Sequence, residues 1–486
     1  MDVILIKALQ LICCLSLLVL LHEGGHFGFS KLFKVRVEKF YMFFNPYFHL
    51  FSTRDKWFTR LFPYFKKNET EYGIGWLPLG GYVKIAGMVD ESMDTEQMKQ
   101  PAKPDEFRSQ KVWKRFFIMF GGVLMNLITA WVIYSLVMLT WGRDAVPMQN
   151  VSQGFQFNAH AQELGFRNGD IPLAIDGKPI AEWSVDIIRD LADAQNVTVL
   201  RNGTQVDLNI QEDLSMLQML QEQPPFITPY APAVIDSVLP DSPMQKGGAL
   251  KGQRIVAVDG TSIETWTDFD SLVVRRFDIL QHPDCTATDS LRLRNMNLVL
   301  ANESQVYDTI DIVLDDSYML GIIKHSPLAD YSEHISYNWL TCWGAGLQKG
   351  WNVLTSYVND LKYVASAEGA KSVGSFITIG NIFPSAWDWY QFWTLTALIS
   401  IILAVMNILP IPGLDGGHIV LCSMKASLAN NPATASWNGL SASDSASSWP
   451  SCCWPSATTY GTSFCLCSSN LRKRIWPIHF HRTLSC

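Results

Sequence analysis

His22-Glu23-Gly24-Gly25-His26 stands at the end of an apolar run, Ile4 to Leu21, that is rich in Leu, Ile, Val and Cys. That position constrains the chain more than any other. On a helix, residues four apart share a face, so His22 and His26 present two imidazoles to one point. This is the spacing a tetrahedral Zn²⁺ requires, with Glu23 beside the water that such a metal carries. A run of this length reads as membrane, where ionisable side chains are costly and mark function.

The chain has 486 residues, 48% hydrophobic and only 17% charged, a membrane balance diluted by a soluble part. A net charge of −7 argues against a nucleic-acid binder. The ten cysteines form no C-x-x-C pair, which argues against a cysteine zinc site. The first residues resemble a signal peptide, but no small-residue cleavage site follows, and cleavage would strand the histidines. A retained helix is expected.

Three segments are long enough to span a bilayer, which takes about 20 apolar residues. They are Ile4 to Leu21, continuing through the motif to about Leu32; Phe116 to Trp141; and Trp389 to Leu409. Trp339 to Val358 contains Gln348 and Lys349 and reads as an amphipathic interfacial helix. Residues 31–115 hold 16 Lys+Arg against 10 Asp+Glu, whereas residues 142–387 hold 16 against 30. By the positive-inside rule the first loop is cytoplasmic and the long acidic stretch lies across the membrane.

That acidic stretch contains a repeat. Gly169-Asp-Ile-Pro-Leu-Ala-Ile-Asp-Gly177 returns as Gly252-Gln-Arg-Ile-Val-Ala-Val-Asp-Gly260, with Ile180 and Ile263 three positions on. Alternation ending in Asp-Gly predicts a hairpin. Helices are expected around Val185–Ala194 and Trp266–Arg276, and strands in Leu291-Arg-Leu-Arg and Ile310-Asp-Ile-Val-Leu. The pattern resembles tandem PDZ domains of the bacterial type, which bind peptide ends by strand addition.

Asn407-Ile-Leu-Pro-Ile-Pro-Gly-Leu-Asp-Gly-Gly-His418 closes the third span. Asp415 can complete His₂Asp plus water, the open set of a catalytic zinc. Glu23 would then act as general base and later protonate the leaving amine. The glycines after Asp415 are expected to let backbone approach the metal. His418 is a rival ligand, read here as a group supporting the others. Pro410 and Pro412 remove donors and break the helix, leaving free carbonyls. Gly80-Gly81-Tyr82-Val83-Lys84-Ile85-Ala86-Gly87-Met88 alternates like a strand, so Gly81, Tyr82 and Val83 could pair with an unwound substrate. A cytoplasmic surface hairpin is the other reading. In Gly121-Gly-Val-Leu-Met-Asn126, the small residues permit close helix packing. Asn126 needs a partner there; it could steady the metal site, donate to an oxyanion, or serve packing alone.

HExxH in a first membrane helix, a distal N-x-L-P-x-P-x-L-D-G-G-H and inserted PDZ-like repeats together resemble the site-2 protease family, over residues 1 to about 422. The resemblance implies an intramembrane zinc metalloprotease that cleaves transmembrane segments. It implies His22, His26 and Asp415 as zinc ligands, Glu23 as the catalytic glutamate, and Asn407, Pro410 and Pro412 as substrate-holding positions. It also implies a membrane-re-entrant β-hairpin at 75–88. The expected setting is the bacterial inner membrane, with the PDZ pair periplasmic and in contact with peptide ends. Implied substrates are membrane proteins already trimmed outside, such as an anti-sigma factor, or remnant signal peptides; lipids are the remaining partner. Rival readings are a catalytically inactive PDZ scaffold, and a tethered soluble-type zincin using Glu69 or Glu71 as third ligand.

The expected fold is therefore a polytopic α-helical membrane protein with two inserted, mostly β PDZ domains. Its parts are a first helix (1–33), a cytoplasmic loop (34–115), a second helix (116–141), two PDZ domains (142–225 and 226–330), an interfacial segment (331–388), a third helix (389–424) and a tail (425–486). The tail departs from the family pattern. It holds 13 Ser, five Cys, four Trp and no Glu, with no helical or strand period. A reading-frame shift that replaces a final membrane helix is the favoured expectation; a genuine disordered tail is the alternative.

Overall fold

The computed structural model describes residues 3–64, 68–88, 101–184, 186–210, 214–280, 286, 292–302, 304–314, 319–364, 380–411, 414–420 and 422. Pro412 and the tail 425–486 lie outside the described residues. The chain divides into two compact units. One is formed by residues 1–134, 346–360 and 373–486, and the other by 135–345 and 361–372. In chain order the first unit begins with α1 (Val3–Leu32), β1 (Val37–Ser52), α2 (Lys56–Leu61), β2 (Glu71–Ile85) and α3 (Val112–Trp141). The second unit carries β3 (Arg143–Ala145), β4 (Phe155–Phe157), β5 (Ile171–Ile175), β6 (Lys178–Pro179), α4 (Ile187–Ala192), β7 (Asn196–Arg201), β8 (Thr204–Asn209) and β9 (Ile227–Pro229). It continues with β10 (Ile235–Val238), β11 (Arg254–Val258), β12 (Thr261–Ser262), α5 (Trp266–Leu280), β13 (Asn295–Ala301), β14 (Tyr307–Val313), β15 (Ile322–Lys324) and β16 (Glu333–Ile335). α6 (Cys342–Val364) and α7 (Trp389–Ile408) follow.

Among the described residues, helices α1, α3 and α7 are the three long and apolar enough to cross a membrane. At 30, 30 and 20 residues they span about 45, 45 and 30 Å. α1 runs unbroken through the HExxH motif. α1 and α3 approach at glycine: a Cβ on Gly25 would collide with the Gly121 carbonyl, and one on Gly121 would meet Phe29 Cδ2 at 2.7 Å. Only hydrogen at these positions permits that backbone approach. Earlier along the same buried stripe of α1, Cys14 and Leu18 pack with Phe383, Phe392 and Ile399 of the α7 region.

Strands β1 and β2 build a sheet beside α1. Each residue from Lys39 to Met42 has two strand partners, one in 81–84 and one in 71–74. The 71–85 chain therefore passes from one side of β1 to the other, near Gly80 with its φ of +146°. The segment expected as a hairpin within 75–88 is instead one limb of this larger sheet, because its partner strand precedes it in the chain. The edge formed by Gly81, Tyr82 and Val83 faces β1 on one side and has no strand partner on the other among the described residues.

The second unit repeats one motif. Its sheets have the orders β6-β5-β7-β8 and β12-β11-β13-β14. Both predicted hairpins form, with Asp176 and Gly177 at φ 47° and 75°, and Asp259 and Gly260 at 48° and 78°. Two successive positive φ values define the turn that Asp-Gly favours. The aspartates also do equivalent work: Asp176 accepts from the Asn196 amide and Asp259 from the Asn297 amide, each at 2.8 Å, at the start of the next strand. Separate cores form around Phe155, Phe166 and Phe226 and around Ile255, Phe269 and Leu298, all below 2% exposure. Each such side chain contributes about 1.5–3 kcal/mol.

Two expectations change here. Residues 292–294 are helical and β13 begins at Asn295, because the Arg276 guanidinium holds the Leu293 and Asn295 carbonyls. The division at 225/226 also moves, because β9 pairs with β4 and Phe226 fills the first core. Beyond the second module, β16 returns to pair with β3.

Asp170, with its side chain 1% exposed, is held by Arg201 through contacts of 2.8 and 2.7 Å. Arg201→Ala strands a buried carboxylate and should destabilise the first module by about 3–5 kcal/mol. Lys251→Ala removes an exposed partner of Asp236 and should change stability by less than about 0.5 kcal/mol. Pulse proteolysis in urea compares the two.

Candidate metal centre

Three side chains from two distant parts of the chain meet at one point. His22 Nε2 and His26 Nε2 each lie 3.2 Å from Asp415 Oδ2, and 3.3 Å from one another. A tetrahedral Zn²⁺ with ligands at about 2.0–2.1 Å has its donor atoms about 3.3 Å apart. The observed triangle has that edge length. Asp415 Oδ2 is buried with no hydrogen-bond partner, a costly state that a cation relieves. These are the only such grouping of His, Cys, Asp and Glu among the described residues. The donor set thus fits zinc with a fourth position open.

The surroundings orient the rings. His26 Nδ1 lies 2.8 Å from the Ile118 carbonyl of α3, so that nitrogen carries the proton and Nε2 keeps its lone pair. His22 Nδ1 faces the Asn126 amide nitrogen at 3.2 Å, while Asn126 Oδ1 is buried without a partner. A half turn of the amide exchanges nitrogen and oxygen. Oδ1 then accepts the His22 Nδ1 proton, which cures the orphaned oxygen and frees His22 Nε2 for a metal. The main chain of Asn126 is fixed in turn: its carbonyl accepts from Ser400 of α7 at 2.7 Å. Gly122 supplies the space. A Cβ there would sit 2.5 Å from His26 Nε2 and 2.6 Å from His22 Cε1.

Asp415 is delivered by a tight turn after α7. Residues 415–420 are helical, and a Cβ on Gly416 would collide with the Leu409 and Ile408 carbonyls. This corrects the expectation for the glycines after Asp415: Gly416 yields to the end of α7, not to the metal. Asn407 brings its amide nitrogen to 3.4 Å from His22 Nε2. Pro410 is exposed beyond the end of α7. His418 is not in the ligating group. Gly81 approaches α1: its Cβ would stand 3.3 Å from Val19 Cγ1, one turn before His22. Glu71, the rival third ligand, is engaged in the sheet, where it accepts from Tyr41 at 2.6 Å and from Ser52 at 2.8 Å. Sequence reasoning took the small residues of α3 as packing and missed that Gly122 faces the imidazoles. Its spacing of four from Asn126 was the available signal.

Gly122→Ala should weaken zinc binding about 10–100-fold, as expected when supports of ligands are disturbed. Gly28→Ala, where a Cβ meets nothing within 4 Å, should leave it unchanged. Competition against a chromophoric chelator reads both.

The sequence matches the family model of Peptidase family M50 over residues 10–439. It is similar to the Escherichia coli regulator of sigma-E protease RseP, 26% identical over 447 residues, covering 85% of this chain and 89% of that protein. The Haemophilus influenzae regulator of sigma E protease is 24% identical over 447 residues, with the same coverage of 85% and 89%. A Neisseria meningitidis protein described as a zinc metalloprotease is 26% identical over 452 residues, again covering 85% and 89%. With its family model covering most of its length, the chain belongs to peptidase family M50 and is a zinc metalloprotease of the site-2 type.

Proposed function

We propose that this protease hydrolyses peptide bonds within transmembrane segments of bacterial inner-membrane proteins. Its zinc ligands are His22, His26 and Asp415, and its general base is Glu23. The observation that carries this reading is the donor triangle with edges of 3.2–3.3 Å, its two imidazoles set on a helix of membrane length.

Bound Zn²⁺ supplies a Lewis acid that acidifies a water and polarises the scissile carbonyl. Glu23, between the two histidines on α1, takes a proton from the attacking water as its oxygen bonds to the carbonyl carbon. It returns that proton to the amine nitrogen as the C–N bond breaks. The Asn407 amide, beside His22, donates to the carbonyl oxygen. Asn126 holds His22 in the tautomer that leaves Nε2 free, and His418 supports the turn that carries Asp415.

A peptide bond in a membrane helix is sheltered by its own hydrogen bonds, so the substrate must unwind, and its freed groups need partners. The unpaired edge at Gly81, Tyr82 and Val83 offers them by strand addition. Pro410, exposed beyond the end of α7, and Pro412 are the further substrate-holding positions of this reading. The two repeated modules act as PDZ domains on the periplasmic side, admitting substrates already trimmed there. The names of the Escherichia coli and Haemophilus relatives favour an anti-sigma factor as substrate; remnant signal peptides are a further class. The basic loop 34–115 faces the cytoplasm. A scaffold without catalysis would have no use for Glu23.

Zinc content and cleavage of a membrane reporter test the assignment together. Glu23→Gln should retain zinc and lose cleavage by a factor of roughly 10² or more. Asp415→Asn should lose both, whereas Glu71→Gln should keep zinc and activity. Tyr82→Pro removes a backbone N–H from this strand. It should abolish cleavage of the membrane reporter while zinc stays bound; full activity in this variant would dismiss the strand-edge role.

A further inference from the structure

Between β1 and β2 the chain exposes aromatic surface that no described element covers. Tyr47 is fully exposed, Trp57 is 57% exposed and Leu61 66%. α2 is anchored from beneath: Phe58 packs against Phe51 of β1, with ring centroids 5.0 Å apart. Its outer face is set by helical spacing. Trp57 and Leu61 are four apart, as are Lys56 and Arg60, and all four are exposed. Asp55, the acidic residue just before α2, is occupied by His49 at 2.9 Å and by the Ser52 amide. A patch of Trp and Leu next to two cations that have no ion-pair partner among the described residues is poorly suited to water. It suits the boundary between lipid headgroups and acyl chains, where indole rings lodge and Lys and Arg meet anionic phosphates. This patch belongs to the same compact unit as α1, and β1 begins five residues after that helix ends.

We propose that α2 and the adjoining tip of β1 form a lipid-anchoring surface for anionic headgroups, separate from the membrane-crossing helices. Trp57 and Leu61 enter the interface, and Lys56 and Arg60 bind headgroup phosphates. The anchor fixes the depth of the sheet whose other limb carries Gly81, Tyr82 and Val83. The inference rests on α1 crossing the bilayer, and the test reads that separately.

A benzophenone amino acid placed in the full-length protein in place of Trp57 or Leu61 is photolysed in nanodiscs of phosphatidylcholine with or without phosphatidylglycerol. Intact mass reports the adduct. A matching probe in place of Ile12, on α1, reports the span. The expected result is a phospholipid adduct at both α2 positions that increases with phosphatidylglycerol. Lys56→Gln and Arg60→Gln should each reduce it roughly fivefold, while the Ile12 adduct persists. No lipid adduct on α2 beside a normal Ile12 adduct overturns the anchor, as does crosslinking to a second protein copy. Adducts indifferent to lipid charge overturn the assignment to anionic headgroups. Loss of the Ile12 adduct as well brings down the spanning reading and the anchor with it.

Discussion

Everything at the metal centre depends on how near two helices can come. The imidazoles of α1 need a neighbour that offers a carbonyl, an amide and empty space within a few ångströms. α3 provides all three through Ile118, Asn126 and Gly122. The contact of Gly25 with Gly121 sets the distance between backbones, and thereby the reach of each of these groups. In hydrocarbon, helices gain little from burying apolar surface against one another. Close backbone packing and satisfied polar groups hold them instead. The site is therefore cause as well as product of the packing: His26 and Asn126 find partners across helix boundaries, and Asp415 Oδ2 awaits a cation.

α7 closes the arrangement from the far end of the chain. Its Ser400 fixes the Asn126 backbone, and its last turn leads into the tight bend that presents Asp415. The segment after α7 thus supplies the carboxylate of the donor triangle, and α7 itself steadies the residue that contacts one of its imidazoles. A substitution on α7 several turns from Asp415 can consequently disturb His22, with Asn126 as the intermediary.

Much of this was legible from the residues. HExxH and the distal Asp-Gly-Gly-His carry their spacing in the chain, and helical geometry turns spacing into direction. Asp-Gly at the end of an alternating run dictates a hairpin wherever it occurs, so both copies of the repeat formed as expected. Features set by long-range contact were less visible. The role of Gly122 depends on which helix faces it. The 71–85 limb passes across β1 because of a strand some 40 residues earlier, and residues 292–294, expected in a strand, are helical beside Arg276. Phe226 looks like the start of the second module until the first core is seen to be incomplete without it. In each case local pattern set the propensity and a distant partner decided the outcome.

The pairing of β3 with β16 carries a consequence for how such a chain is assembled. Opposed residues in an antiparallel pair stand about 5 Å apart, so a folded excursion of nearly two hundred residues leaves and rejoins through neighbouring positions. To the rest of the protein this excursion has the span of a tight turn. Such a cassette, closed on itself by β3 and β16, can be gained, lost or exchanged through descent as a single piece.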